Sequence, residues 1–240
     1  MKGFAYARPW VLINDKPSYG VNGLIVTSLP PITKPKMRYS SEEIDGRDGD
    51  IITTLGYQAY DKTLSIGLHG NFDIDKVVEF FATSGTITFS NESDKAYRFQ
   101  QLENIDFERL VRYRTADVRL HVQPYKTGRL QRPKVFTSAD AQAVVTNAGN
   151  VAAVPKLTVK ANGNIGLYLD GSQVLQVSNF GDYTLVVDVA NLEASTPEGV
   201  LMNRHITGDY QRLALSPGKH SLKWSGGVKS LTIEDYSRWV

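Results

Sequence analysis

Apolar residues in the first half of this chain come in short bursts, mostly with a period of two. Trp10-Val11-Leu12-Ile13 closes on Asn14-Asp15, and Gly23-Leu24-Ile25-Val26 stops at Pro30-Pro31. Ile51-Ile52-Thr53-Thr54 forms a third burst. In the fourth, Lys62 to Leu68, the residues Leu64, Ile66 and Leu68 alternate onto one face, as a strand with one buried side requires. One segment has a different period. Ile74, Val77, Val78 and Phe81 fall at i, i+3, i+4 and i+7, the single stripe of an amphipathic helix. Asp73 is placed to cap its start, and Gly85 stands where a glycine after the last turn belongs. Thr86-Ile87-Thr88-Phe89 and Tyr97-Arg98-Phe99 then read as a strand pair joined by Asn91-Glu92-Ser93-Asp94, and Val118 to Val122 alternates again. The pattern predicts an antiparallel sheet system packed on one helix.

Residues 126–134 are polar, basic and aperiodic, and read as a linker. They divide the chain into expected domains 1–130 and 131–240. Beyond them, turn signals recur at close spacing: Asn162-Gly163-Asn164, Asp170-Gly171-Ser172, Gly181-Asp182, Pro197-Glu198-Gly199, Pro217-Gly218 and Gly226-Gly227. Between them lie Leu157-Thr158-Val159, Ile165 to Leu169, Tyr183 to Val187 and Ser221 to Trp224, without a helical period. That spacing predicts a β-sandwich. The expected class is therefore mainly β.

Composition narrows what such a protein does. Of 240 residues, 41% are hydrophobic and 22% charged, ordinary for a globular chain with a packed core. Residues 1–133 carry 18 Lys and Arg against 16 Asp and Glu, and residues 134–240 carry 9 of each, so neither half has the basic excess of a dedicated nucleic-acid binder. The chain has no cysteine, which removes disulfides, thiolate nucleophiles and Cys-ligated zinc, and suits folding in a reducing cytoplasm. Met1-Lys2-Gly3-Phe4 leads into no apolar stretch of the length a secretory signal needs, and no apolar run approaches a membrane span, so neither export by that route nor membrane insertion is expected.

Candidate chemistry is sparse. The histidines His69, His121, His205 and His220 are far apart, and His121 lies on an alternating strand where a half-buried role is expected. There is neither a Gly-x-Ser-x-Gly nor a phosphate-cradling Gly-x-x-x-x-Gly-Lys-Ser/Thr. Asp45-Gly46-Arg47-Asp48-Gly49-Asp50 places carboxylates at loop positions 1, 4 and 6 with Gly56 at position 12, which fails the calcium-loop pattern and reads as a turn. Glu42/Glu43 and Glu234/Asp235 are neighbours that a strand would send to opposite faces, so they read as surface charge rather than as acid/base pairs. Arg109, Arg112, Arg114 and Arg119 lie among Asp106, Glu108 and Asp117, which suggests cross-strand or interface pairing. Trp224, Trp239, Tyr168 and Tyr210 supply the residue types of a sugar-stacking platform, and a carbohydrate-binding sandwich recognising cell-wall saccharide is the alternative function. No enzyme activity, cofactor or metal is expected.

Two stretches carry a resemblance. The first is Glu42-Glu43-Ile44-Asp45-Gly46-Arg47-Asp48-Gly49-Asp50 before a strand, then Leu64-Ser65-Ile66-Gly67-Leu68, then a helix opening at Ile74. The second is Asn203-Arg204-His205-Ile206-Thr207-Gly208-Asp209-Tyr210, then Ser216-Pro217-Gly218-Lys219-His220, then Trp224 and Gly226-Gly227, with Trp239 near the end. In order, spacing and total length the chain resembles the distal tail proteins of long-tailed siphophages, with His220 in place of an expected Asn. The resemblance implies an N-terminal β-sandwich with one helix and an extended hairpin, and a galectin-like C-terminal sandwich. It implies six copies in a ring at the virion's tail tip, assembled in the bacterial cytoplasm. That ring would join the tail tube protein to the tail-tip or tail-associated protein and to receptor-binding or baseplate proteins. DNA would pass through its lumen unread, which suits the near-neutral charge of both halves. Glu42, Glu43, Asp45, Arg47, Asp48 and Asp50 are the candidate hairpin residues that reach a neighbour.

Overall fold

The computed structural model describes residues 8–82, 84–100, 105–140, 142–179 and 181–240. The reading of Met1-Lys2-Gly3-Phe4 lies outside them. The chain separates into two compact units, one ending at Arg129 and including Val240, the other Leu130–Trp239.

The first unit contains nine strands: β1 Val11–Ile13, β2 Lys16–Pro17, β3 Leu24–Ser28, β4 Met37–Glu43, β5 Asp50–Tyr57, β6 Tyr60–Leu68, β7 Gly85–Phe89, β8 Lys95–Gln100 and β9 Thr115–Gly128. Two helices interrupt them, α1 Ile74–Phe81 and α2 Phe107–Tyr113. Seven strands form an antiparallel sheet in the order β2-β1-β7-β8-β9-β6-β3. The inward positions of β6 are the predicted Leu64, Ile66 and Leu68, and those of β9 are Val118, Leu120 and Val122. They share one core with Val77, Phe80 and Phe81 of α1 and Leu110 of α2. Helix α1 is capped as expected, the Asp73 carboxylate accepting from the Lys76 amide at 3.3 Å. Its C-cap, however, is Ala82. Gly85 opens β7 instead, where a Cβ would meet Asn14 Oδ1 at 2.1 Å, so that glycine serves a strand's close approach and not a helix end.

The sequence pattern shows one helix and misses the second, short one. Two further readings are narrowed, each for a physical reason. The cross-strand half of the arginine reading holds at one residue. Arg109 and Arg112 lie on the second helix, and Arg114 ends it in a left-handed conformation, φ 61°. Only Arg119 makes the predicted cross-strand pair, its Nη2 donating to Asp61 at 2.7 Å. The linker is also shorter than its composition suggests. Strand β9 continues to Gly128, and Lys126 is buried on it because it follows the inward positions Val122 and Pro124 and meets Glu92.

The second unit has β10 Lys134–Thr137, β11 Ala143–Asn147, β12 Lys156–Leu169, β13 Ser172–Val177, β14 Asp182–Asp188, β15 Glu193–Ser195, β16 Ile206–Gly208, β17 Gly218–Glu234 and β18 Arg238–Trp239. Strands β12 and β17 pair along their length and organise a sandwich around one core. At one end they run between β10 and β14, with β15 beyond. At the other they run between β11 and β13, with β16 beyond. The change of neighbours falls where register is lost, at Lys160/Ala161 and Asn162/Ile165. Asn162-Gly163-Asn164 and Gly226-Gly227 are therefore not turns between strands but bends inside two long ones. A Cβ on Gly226 would stand 2.1 Å from the Asn164 carbonyl, and one on Gly227 2.2 Å from that of Asn162. Glycine is required there because two backbones touch at the fold's corner.

Candidate interaction surface

Strands β4 and β5 form a two-stranded sheet that pairs with no other strand among the described residues. The six-residue turn Ile44–Gly49 closes it through Arg47 N donating to Ile44 O at 3.1 Å, with Gly46 and Gly49 at positive φ, 82° and 77°. The turn expected from the two Asp-Gly pairs is thus the tip of a hairpin. Glu42, Glu43, Asp45, Arg47, Asp48 and Asp50 are all exposed along it. Ser41 Oγ donates to the Asp50 carboxylate across the strands. Five carboxylates against one arginine give residues 42–50 a net charge of −4.

The register also assigns the two faces. Met37 opposes Tyr57, Tyr39 opposes Thr54 and Ser41 opposes Ile52, and directly opposed residues share a face. Leu55 is the extra residue of a bulge between these pairs. One face thus carries Met37, Tyr39 and Ile52, and Tyr39 is 60% and Ile52 63% exposed. An isolated two-stranded ribbon is marginal in water, and a row of large apolar groups left on it marks a contact surface.

The root of this hairpin is fastened to the sheet. Lys62 on β6 is 4% exposed and donates to the Pro31 carbonyl at 2.8 Å. Asn91 Nδ2 donates to Pro30 O at 3.0 Å, and Tyr60 Oη to Thr33 O at 3.5 Å. Lys62 lies 5.0 Å from the Tyr97 ring centroid, and Lys126 Nζ donates to Glu92 at 3.0 Å. The Tyr97 hydroxyl donates to the same carboxylate. Burial pulls the Lys62 ammonium down to about 8; Glu92 opposes that shift and Lys126 adds to it. Burial likewise pushes the Tyr97 phenol up, reinforced by Glu92. The sequence reading missed this cluster: it left Lys126 in the linker, and nothing in the pattern shows that Lys126 and Tyr97 share the Glu92 carboxylate.

The histidines divide. His121 Nδ1 lies 2.7 Å from Asp61, whose carboxyl is held below its usual range by His121 and then Arg119. His220, which stands where the resemblance expects an Asn, joins a part-buried hydrogen-bond cluster. It is 9% exposed, with Nδ1 2.7 Å from Asp170 Oδ2 and Nε2 2.7 Å from the Ser216 carbonyl. The Ser216 hydroxyl is farther, at 3.3 Å. A serine, a histidine and a carboxylate scattered in sequence therefore meet, but both ring nitrogens face acceptors. When doubly protonated the ring donates to both, and in that form it has no lone pair to take a proton from Ser216. Burial opposes the charge; Asp170 and the Ser216 carbonyl outweigh it and the His220 pKa is raised.

The four candidate platform aromatics are all partly buried. Trp224 and Tyr210 pack against the second core, while Tyr168 and Trp239 are half-buried. Among the described residues, no group of three or more His, Asp or Glu side chains is placed to hold a metal ion.

No protein-family model and no curated protein matches the chain. Among solved structures it is similar to the crystal structure of the SPP1 Dit protein, gp 19.1, described as a paradigm of the hub adsorption apparatus in phages infecting Gram-positive bacteria. The TM-score is 0.64 at 18% identity, over 98% of this chain and 100% of that one. The resemblance read from the sequence thus holds at the level of the fold, over nearly all of the chain.

Proposed function

We propose that this protein is a structural hub of a bacteriophage tail tip, a distal tail protein whose copies close into a hexameric ring. The observation that carries the reading is the end-to-end likeness in fold to the SPP1 hub protein. The exposed ribbon β4–β5 supports it, because a ring is built from heterologous contacts in which one copy's projecting element meets a different surface of the next. In this reading Glu42, Glu43, Asp45, Arg47, Asp48 and Asp50 contact the neighbouring copy. The ring joins the tail tube protein to tail-tip and adsorption proteins, and DNA crosses its lumen without specific contacts. Residues up to 130 build the ring, residues 131–240 project as the second sandwich, and the protein acts without catalysis.

Light scattering on the purified protein across a concentration series tests the ring. A mass six times that of the 26.6 kDa chain, or twice that again, supports it. A monomer at every concentration, also in the presence of tail tube and tail-tip proteins, refutes it.

A further inference from the structure

The hairpin tip needs a receptor, and the same unit carries two exposed arginines beside exposed apolar side chains on a short helix. Helix α2 turns Leu110 into the core and leaves Arg109, Val111, Arg112 and Tyr113 outside. Val111 is 40% and Tyr113 62% exposed. Asp106, Glu108 and Thr115 complete a shallow depression with Arg109, Arg112 and Tyr113, so carboxylates and guanidiniums share it. No ion pair among the described residues engages Arg109 or Arg112. The hairpin is its complement: Tyr39 and Ile52 on one face, and a tip of net charge −4 whose carboxylates, Asp50 apart, are likewise without a partner among the described residues.

We propose that α2 is the receiving surface for the β4–β5 hairpin of a second copy of this chain. The carboxylates of the tip meet Arg109 and Arg112, and Tyr39 and Ile52 cover Val111 and Tyr113. The inference rests on the ring reading, and it names the patch that the ring leaves unspecified. Because donor and receptor are different surfaces of one chain, each copy offers both, which is what head-to-tail closure requires. Oppositely charged patches also steer the encounter and fix its register. Asp106 and Glu108 also line the depression and repel an acidic tip, so the contact proposed is with Arg109 and Arg112 themselves.

The absence of cysteine makes the test clean. Tyr39→Cys and Val111→Cys, each with one thiol, are mixed under mild oxidation and the disulfide species are resolved by intact mass. The expected result is a mixed 39–111 dimer in excess over either self-dimer, and over dimers with a Val200→Cys control, whose thiol is exposed on the other unit. Adding R109E and R112E to the receptor chain is expected to cut the mixed dimer about tenfold or more, since like charges then face each other. Adding E43K and D45K to the hairpin chain is expected to restore it. The two readings fail separately. A protein that assembles to a multimer while the 39–111 dimer stays at control level overturns the docking and leaves the ring. A mixed dimer that forms without any larger assembly keeps the docking and sinks the ring. Mixed dimer unaffected by the reversals overturns the role of the arginines.

Discussion

His220 is the residue whose role depends most on context. Its ring nitrogens face the Asp170 carboxylate and the Ser216 carbonyl, so only the imidazolium satisfies both. Its folded pKa lies above the ordinary value of 6.5, so the stabilisation is complete below pH 6.5 and is lost as pH rises through the folded value. Asp170 shifts the other way. Burial resists its ionisation, but the Ser221 amide and His220 outweigh that and its pKa is lowered from 3.8. Its contribution is therefore present above pH 3.8 and lost as pH falls further. The second unit should be most stable between these limits. His220→Gln is expected to cost about 1–2 kcal/mol at pH 6 and measurably less at pH 9, from denaturant unfolding at each pH. A cost independent of pH would show that the ring is neutral in the fold.

Lys62 gives the opposite sign. A base whose folded pKa is depressed to about 8 leaves the unfolded chain holding more protons between pH 8 and 10.5. Its contribution to stability therefore rises over that interval. Lys62→Met removes this slope, and it also frees the Pro31 carbonyl that fixes the hairpin root. The variant is expected to unfold with a weaker rise from pH 8 to 10 than the parent, and to show faster amide exchange around Pro31–Lys36. Unchanged exchange there would mean that Asn91 and Tyr60 hold the strap alone.

At the scale of elements, what could be read in advance was what repeats. Strands β6, β7 and β9 announce themselves by alternation and α1 by a full stripe. Helix α2 is only Phe107–Tyr113, too short for a stripe, and three of its outward neighbours are charged. The available signal was the Asp106 cap, which accepts from the Arg109 amide at 2.7 Å, followed by Phe107 and Leu110 at i, i+3 spacing. The hairpin tip was legible because Asp-Gly pairs demand a turn. Its apolar face was not, because which residues share a face depends on the bulge at Leu55. Gly226-Gly227 misled for a related reason: glycine signals either a turn or a close backbone approach, and only three-dimensional pairing distinguishes them. Gly226→Ala, which must fit a Cβ at φ 82° against the Asn164 carbonyl, is expected to cost about 2 kcal/mol or more in the second unit. Gly163→Ala, at the same corner with open space around it, is expected to cost less despite its φ of 71°. Equal costs would show that backbone strain, and not the close approach, is what the corner demands.

For the whole molecule, the hairpin separates folding from assembly. Its residues 42–51 contribute nothing to either buried core, while the ring reading gives them a central part in joining copies. Replacing residues 42–51 by Asn-Gly joins the opposed Ser41 and Ile52 through a two-residue turn and removes all six candidate contact residues. The free energy of unfolding is expected to stay within about 0.5 kcal/mol of the parent, as for a surface change that touches no core. Light scattering is expected to show loss of the multimer at concentrations where the parent assembles. The paired outcome matters because either half alone is ambiguous. A variant that neither folds nor assembles says nothing about docking, and one that folds and still assembles removes the hairpin from the ring. Only a folded, unassembled chain places the assembly function on these residues, and R109E/R112E should then reproduce the defect from the receiving side.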